Sequence, residues 1–160
     1  MNNDVSFKIQ GDIAHTFDWV AENGPRYYKA ALMAGAQVLK DKTKENLISM
    51  IPASTNRNPK YNDTLVDAIR NGPLSQDHVK VHVLGTRAKG SGTYRTRFFE
   101  NGTRDRYQKS YRGVKLKDKR FLGKIPSKNF FSSAITSEQQ NILAAMQQVL
   151  DNFMQKANEI

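Results

Sequence analysis

Residues 26–51, RYYKAALMAGAQVLKDKTKENLISMI, form the longest regular pattern in the chain. Apolar side chains recur there every three or four residues, which predicts one amphipathic α-helix. Pro52 ends the pattern, because proline cannot continue the helical hydrogen bonding. At 1.5 Å per residue such a helix is a rod of about 40 Å, which is long for a chain of 160 residues. The rest of the fold is therefore expected to pack around this helix.

Further helices are predicted at both ends of the chain. Asp12 can cap a helix that ends at Asn23-Gly24-Pro25, after a short strand over Val5–Gln10. Near the other end, Pro126-Ser127 is predicted to begin a helical run, and Ser137-Glu138 to open a separate last helix. The buried face of that last helix is predicted to contain Ile142, Met146, Val149, Phe153 and Ala157.

The middle of the chain is predicted to form a short helix and a β-hairpin. Leu65–Arg70 reads as the helix, and Asn71-Gly72-Pro73 stops it. Val79–Leu84 alternates like a strand, and Tyr94–Glu100 is its predicted return strand, so the hairpin covers about residues 79–100. This order predicts an α+β fold in a single domain over residues 1–160. A small antiparallel sheet, made of the hairpin and the N-terminal strand, would pack against two long amphipathic helices.

The formal net charge of +10 is concentrated in one quarter of the sequence. Residues 87–124 contain 13 lysines and arginines but only three acidic residues, whereas the remaining chain is neutral. Within this region, residues 104–124 have no clear period and are predicted to be a basic, flexible insertion, either an extended loop or a loose strand pair. Such a local positive field attracts polyanions or an acidic protein surface. The residues predicted to make that contact are Arg104, Arg106, Lys109, Arg112, Lys115, Lys117, Lys119 and Arg120.

Composition excludes several classes of protein. The chain has no cysteine, so disulfide scaffolds, thiolate metal sites and cysteine nucleophiles are excluded. No apolar run approaches the roughly 20 residues that a membrane helix needs. The N-terminal residues do not resemble a secretory signal, which makes an intracellular protein the expectation.

Catalytic and cofactor motifs are weak. His78 and His82 lie on a predicted strand, about 13 Å apart, too far to share a metal ion. Residues 85–91 imitate a phosphate-binding loop but lack the lysine after the second glycine. Asp63, Asp67 and Asp77 could belong to a nuclease, although helix capping and solvation explain them more simply. We therefore expect no enzyme, no metal site and no cofactor.

Aromatic residues in and beside the basic region allow two interpretations. They could stack on exposed bases, as aromatic side chains do in proteins that bind single strands. However, Tyr94, Phe98, Phe99 and Phe121 are also the residues that a hairpin needs for a core, and core packing is the preferred prediction.

Two motifs resemble the minor tail-component family of long-tailed DNA bacteriophages. Phe98-Phe99-Glu100-Asn101-Gly102-Thr103 is similar to the aromatic strand ending in Glu-x-Gly-Thr that characterises the family. Pro126-Ser127-Lys128-Asn129-Phe130, followed by Ala134, resembles the family's proline–aromatic–alanine entry to the C-terminal helix. The long helix and the short helix that follows it also match in order. The family joins its two motifs by a short segment, whereas this chain inserts most of residues 104–125, so the resemblance assigns no role to the basic insertion.

The resemblance implies a non-enzymatic virion protein at the head–tail joint, present in the host cytoplasm during assembly. It implies a ring of several copies around the DNA channel, with neighbouring connector and tail proteins as partners and no membrane partner. The basic residues would then face DNA or an acidic surface of the next ring. A free-standing protein that binds nucleic acid without sequence preference is the alternative, and a metal-dependent nuclease is a third class.

Overall fold

Two long helices and two small antiparallel sheets make up the protein. The computed structural model describes residues 12–56, 64–75, 77–83 and 95–159. The elements are α1 (Asp12–Met50), α2 (Ala53–Asn56), a 3-10 turn (Leu65–Ala68), β1 (Arg70–Asn71), β2 (Val81–His82), α3 (Thr96–Asn101), β3 (Arg106–Tyr111), β4 (Val114–Gly123) and α4 (Phe130–Asn158). The predicted α+β class is confirmed. The predicted strand over Val5–Gln10 and the hairpin connection at residues 85–93 lie outside the described residues.

Helices α1 and α4 pack side by side in antiparallel directions. Phe153 near the end of α4 stacks on Trp19 near the start of α1, with ring centroids 5.3 Å apart. At the opposite end, the Asn46 side chain donates a hydrogen bond to the carbonyl oxygen of Phe130. The helices come close where α1 has Gly35, since a Cβ added there would lie 2.9 Å from Cγ of Met146. The predicted inner face of α4 is confirmed, because Phe153 and Ala157 are buried and the other three residues are half-buried.

The predicted helix break at Asn23-Gly24-Pro25 is wrong, because α1 continues through Pro25. A proline inside a helix removes a hydrogen bond and costs about 3 kcal/mol. The packing on either side of the proline offsets this cost. Trp19 precedes Pro25 and Tyr27 follows it, yet both rings contact the single ring of Phe153, at centroid distances of 5.3 and 4.7 Å. A continuous helix is needed to bring the two rings onto that one side chain.

The predicted start of a separate helix at Ser137-Glu138 is also wrong. Helix α4 is continuous over 29 residues. The Ser137 hydroxyl donates a hydrogen bond to the carbonyl of Ala134 one turn earlier, so it does not act as an N-cap. Helix α1 ends at Met50, directly before Ile51 and Pro52, as its sequence predicts.

The return strand predicted for Tyr94–Glu100 is wrong as well. Residues Thr96–Asn101 form α3, and β2 pairs with β1 instead, with Asn71 opposite Val81. The buried residues of this segment are Thr96 and Glu100. Their spacing of four places both on one face of a helix, whereas the strand pattern selected the aromatic residues between them.

The hydrophobic core lies at one end of the helix pair. It is formed by Leu47 and Ile51 at the end of α1, Leu65 and Ile69 around the 3-10 turn, and Phe130 at the start of α4. Half-buried side chains from β2 and α3 cover it, among them those of Val81 and Phe99. The start of α4 and the whole of α3 are therefore anchored in the same core.

The basic segment forms a β-hairpin. Strands β3 and β4 pair in antiparallel fashion, and Arg112 and Gly113 make the two-residue turn between them with φ of 50° and 84°. Positive φ at both positions is characteristic of a type I′ turn, which matches the twist of the flanking strands. Of the two forms that the sequence allowed, the structure has the strand pair.

Candidate functional site: a basic hairpin on an α3–α4 junction

The Glu100 carboxylate caps the N-terminus of α4. Glu100 is only 8% exposed, and its two oxygens accept hydrogen bonds from the backbone N–H groups of Phe131 and Ser132, at 2.8 and 3.2 Å. The Ser132 hydroxyl donates a third hydrogen bond, at 2.8 Å. Asn129 at the start of α4 makes no side-chain capping bond. A negative charge on otherwise unpaired N–H groups at a helix N-terminus is stabilising, so α3 supplies the cap that α4 lacks.

The residues after Glu100 fasten the base of the hairpin. The N–H of Thr103 donates to the carbonyl of Ile125, and the N–H of Ile125 donates to the Thr103 hydroxyl, both at 2.9 Å. Gly102 has φ of 69° and ψ of −175°, a region that essentially only glycine occupies. A Cβ at Gly102 would lie 2.9 Å from the backbone nitrogen of Ser127. The positive φ favours glycine at this position, and the close approach to Ser127 is a second reason for glycine here.

The two motifs that carried the family resemblance meet in this junction, residues 98–103 with 125–134. The Ser127 hydroxyl donates to the Glu100 carbonyl, at 2.6 Å, and the Lys128 N–H donates to the Phe99 carbonyl, at 2.7 Å. Phe130 and Ala134 are completely buried, and Pro126 is exposed in the connection. Phe99 packs on the core, whereas Phe98 is half-buried beneath the Arg97 guanidinium. The two motifs therefore hold the hairpin and α4 on one core.

The hairpin itself stands away from that core. Between Arg106 and Gly123, no residue is buried, and only Gln108, Leu116 and Gly123 are half-buried. The eight basic residues predicted to contact a polyanion or partner are all exposed. Within the described ranges, no aspartate or glutamate lies within 4.0 Å of any of their charged groups. The structure thus gathers these cations on one projecting ribbon whose charge is not neutralised by described neighbours.

The preferred prediction of core packing is wrong for Phe121. Its ring contacts that of Tyr107 across the two strands, with centroids 5.4 Å apart, and 58% of Phe121 is exposed. Tyr111 is also exposed and lies under the Arg112 guanidinium at 5.4 Å. For Phe98 and Phe99 the prediction is closer, since both are half-buried, and Tyr94 lies outside the described residues. The spacing of apolar residues could not distinguish the exposed aromatic residues from the half-buried ones, because it does not show whether a strand pair packs against the core.

A second concave region lies between α1, α4 and β2. Its volume is about 270 Å³, and its walls are mainly apolar side chains, including Leu32, Phe131 and Met146. Its polar lining comes from Asp77 and His78, whose carboxylate oxygen and ring nitrogen are 2.6 Å apart. The hydrogen bond from His78 lowers the pKa of Asp77. One exposed aspartate–histidine pair beside an apolar groove is a surface interaction rather than a catalytic set.

The remaining candidates for chemistry are dispersed. Asp67 accepts a hydrogen bond from the Thr64 N–H at the start of the 3-10 turn, so it serves a capping role. Among the described residues, no three histidine, aspartate or glutamate side chains gather as a metal site would require. Asp63 and residues 85–91, which resemble a phosphate-binding loop, lie outside the residues that the structure describes. No helix in the described part of the chain has the length and apolar character needed to cross a membrane.

The hairpin and the junction beneath it are therefore the candidate site. In comparisons with known proteins, no family profile matches this chain, and no curated protein or solved structure matches it either.

Proposed function

We propose that this protein is a structural virion component at the head–tail joint of a long-tailed bacteriophage, where several copies form a ring around the DNA channel. The observation that carries the proposal is the basic hairpin, exposed along its whole length and anchored at its base by the two motif segments. Its cations would face DNA in the channel or an acidic surface of the adjoining ring. The proposed role requires no catalysis and no cofactor.

The distribution of charge supports a contact made by this hairpin. Residues 104–124 carry nine lysines and arginines and two aspartates, which accounts for +7 of the formal net charge of +10. Contacts between such side chains and phosphate groups are independent of sequence. A protein that encloses DNA of any sequence needs this property.

The helix pair supplies surfaces through which copies could associate. Exposed apolar side chains lie along both long helices, and they include Phe17 and Ile48 on α1 and Leu143 and Met154 on α4. Exposed apolar residues are common singly, and here α1 and α4 both carry them. A closed ring requires two such complementary surfaces.

The second candidate is a free-standing protein that binds nucleic acid without sequence preference. It is favoured by the same exposed cations, because a phosphate backbone can neutralise them without any assembly. It predicts tight, salt-dependent binding of duplex DNA by the isolated monomer, with no need for a ring.

The mass of the purified protein and its presence in particles test the proposal. Native mass spectrometry or electron microscopy should detect closed rings, alone or with a connector, and immunolabelling should place the protein at the neck of the virion. In the variant Lys115→Gln, Lys117→Gln, Lys119→Gln, we expect rings to form but particles to be incomplete.

A matched control removes three exposed basic side chains outside the hairpin and the junction, in the variant Arg26→Gln, Lys29→Gln, Lys80→Gln. This control should assemble like the parent protein. A chain that stays monomeric, is absent from particles and binds free duplex DNA tightly would replace the virion proposal with the second candidate. Cleavage of DNA after addition of magnesium or manganese would indicate a nuclease.

A further inference from the structure

The hairpin carries exposed aromatic rings among its basic side chains, and no residue of the hairpin is buried. Tyr107 and Phe121 are opposite each other in the strand register and remain 49% and 58% exposed. An isolated two-stranded hairpin is marginally stable in water, so ring surface left outside a core would be covered favourably by a ligand. The rings are therefore available as a contact surface.

Arginine accompanies each of these rings. Arg106 precedes Tyr107, and its guanidinium donates to the carbonyls of Gly123 and Leu122 across the ladder, at 3.4 and 3.5 Å. Arg120 precedes Phe121 and is opposite Gln108 in the register, so it lies on the other face of the two-stranded ribbon from the Tyr107–Phe121 pair. Basic side chains therefore lie on both faces of the ribbon, and their length lets them reach a ligand bound along either face. The ribbon thus offers flat apolar surfaces beside positive charges, a combination suited to an anionic ligand that also has flat apolar parts.

The ligand is not expected to be a second copy of this chain. Outside residues 104–124 the chain still has more basic than acidic side chains, so another copy has no excess of negative charge to receive the hairpin. Hairpins of neighbouring copies would also repel one another. Charge complementarity therefore points to a separate polyanion.

The exposed rings distinguish between kinds of polyanion. Duplex DNA presents phosphates at its surface and hides the faces of its bases within the stack. A single strand presents both, and its bases stack on aromatic side chains with little dependence on sequence. We propose that the β3–β4 hairpin is a binding platform for single-stranded nucleic acid, on which Tyr107 and Phe121 stack bases while the neighbouring arginines and lysines contact phosphates. The proposal assigns a ligand to the isolated chain and does not depend on the virion role.

The test measures binding of the full chain to three fluorescent polyanions by anisotropy. These are an oligothymidylate of about 20 nucleotides, sufficient for the usual range of single-strand site sizes, a duplex of the same length, and heparin, which has charge but no bases. We expect the oligothymidylate to bind most tightly. Its affinity should also fall with increasing salt, because cations are released from the phosphates.

Variants separate stacking from charge. Tyr107→Leu with Phe121→Leu keeps an apolar pair across the strands but removes both rings, and it should weaken oligothymidylate binding on the order of tenfold or more with heparin binding unchanged. Lys115→Gln, Lys117→Gln, Lys119→Gln should weaken binding to all three ligands. Tyr107→Phe keeps the ring and should bind like the parent, and Tyr28→Leu is a control for loss of an exposed tyrosine on α1. Circular dichroism spectra that match the parent's verify that each variant is folded.

The inference fails if heparin, duplex and single strand bind equally and removal of the rings changes nothing, because the hairpin is then only a charged patch. A fourth fluorescent ligand, polyglutamate, tests for an acidic protein partner. The inference fails if polyglutamate binds as tightly as the oligothymidylate with the same dependence on the rings. Absence of binding to every ligand overturns it too. None of these results bears on ring formation, which is measured separately by mass.

Discussion

Replacement of Glu100 by alanine tests whether α3 holds α4 in the way the geometry indicates. The carboxylate accepts two hydrogen bonds from backbone N–H groups of the first turn of α4 and one from the Ser132 hydroxyl. First-turn N–H groups have no acceptor within their own helix, and Glu100 is nearly buried, so water can replace the carboxylate only in part.

The expected loss of stability combines two effects. Loss of an N-cap typically costs about 1 kcal/mol and at most about 2 kcal/mol, and loss of a negative charge near a helix N-terminus adds about 0.3–1 kcal/mol. Glu100→Ala should therefore lower the free energy of unfolding by about 1.3–3 kcal/mol. Glu100→Gln keeps one acceptor oxygen and the side-chain shape, and it should cost about 1–2 kcal/mol.

Urea denaturation followed by circular dichroism measures the total effect. With a denaturant slope of about 1–3 kcal/mol per molar, the midpoint for Glu100→Ala should fall by about 0.4–3 M, depending on the slope. Hydrogen exchange supplies a local measurement, because the amides of Phe131 and Ser132 should exchange faster while those in the middle of α4 change less. Glu159→Gln, an exposed glutamate after the end of α4, is the matched control.

Two results would refute the capping role. One is a Glu100→Ala protein whose free energy of unfolding stays within about 0.5 kcal/mol of the parent, below the usual cost of a lost cap. The other is unchanged exchange at the amides of Phe131 and Ser132, even if the protein as a whole is destabilised. That second result would assign the effect of Glu100 to general packing.

Three further predictions concern the junction, the helix and the groove. Gly102→Ala should cost about 2 kcal/mol or more in urea denaturation, because its backbone conformation and the Ser127 backbone both oppose a Cβ. Gly113 also has a positive φ, but a Cβ there meets nothing within 4 Å, so equal costs for Gly102→Ala and Gly113→Ala would contradict the contribution of the Ser127 contact. Pro25→Ala should raise the free energy of unfolding, by at most about 3 kcal/mol, since it permits a backbone hydrogen bond within α1; a less stable variant would mean that the helix needs the proline. His78→Ala should raise the pKa of Asp77 toward its ordinary value in a carbon-13 NMR titration, and an unchanged pKa of Asp77 would exclude His78 as the cause. A depressed carboxyl pKa stabilises the fold above the unfolded-state pKa, and this contribution disappears as the pH falls through the depressed value. The variant should therefore also lose some acid resistance.

Patterns within single helices predicted much of the framework. The apolar residues of α1 between Tyr28 and Met50, and those of α4 between Ile142 and Ala157, recur at the helical period, and both segments are helical. The concentration of charge in one segment is likewise a local property of the chain. These features could be predicted because each depends on residues within a few turns of one another.

Two of the wrong predictions involve partners distant in the chain. Pro25 is a reliable stop signal in isolation, yet the ring of Phe153 supports α1 on both sides of it. The segment after Tyr94 alternates like a strand, but burial of Thr96 against Leu65 and of Glu100 against α4 makes it a helix. Helix propensity is worth a few tenths of a kcal/mol for an ordinary residue, less than the buried contacts of Thr96 and Glu100 provide.

The candidate site divides in the same way. The sequence alone shows that residues 104–124 are strongly basic. The chain could not reveal that this segment pairs with itself, stands clear of the core, and leaves Tyr107 and Phe121 exposed. Nor could it reveal that Glu100 caps a helix beginning 30 residues later. Charge is a property of each residue, whereas exposure and capping depend on which distant segments the folded chain brings into contact.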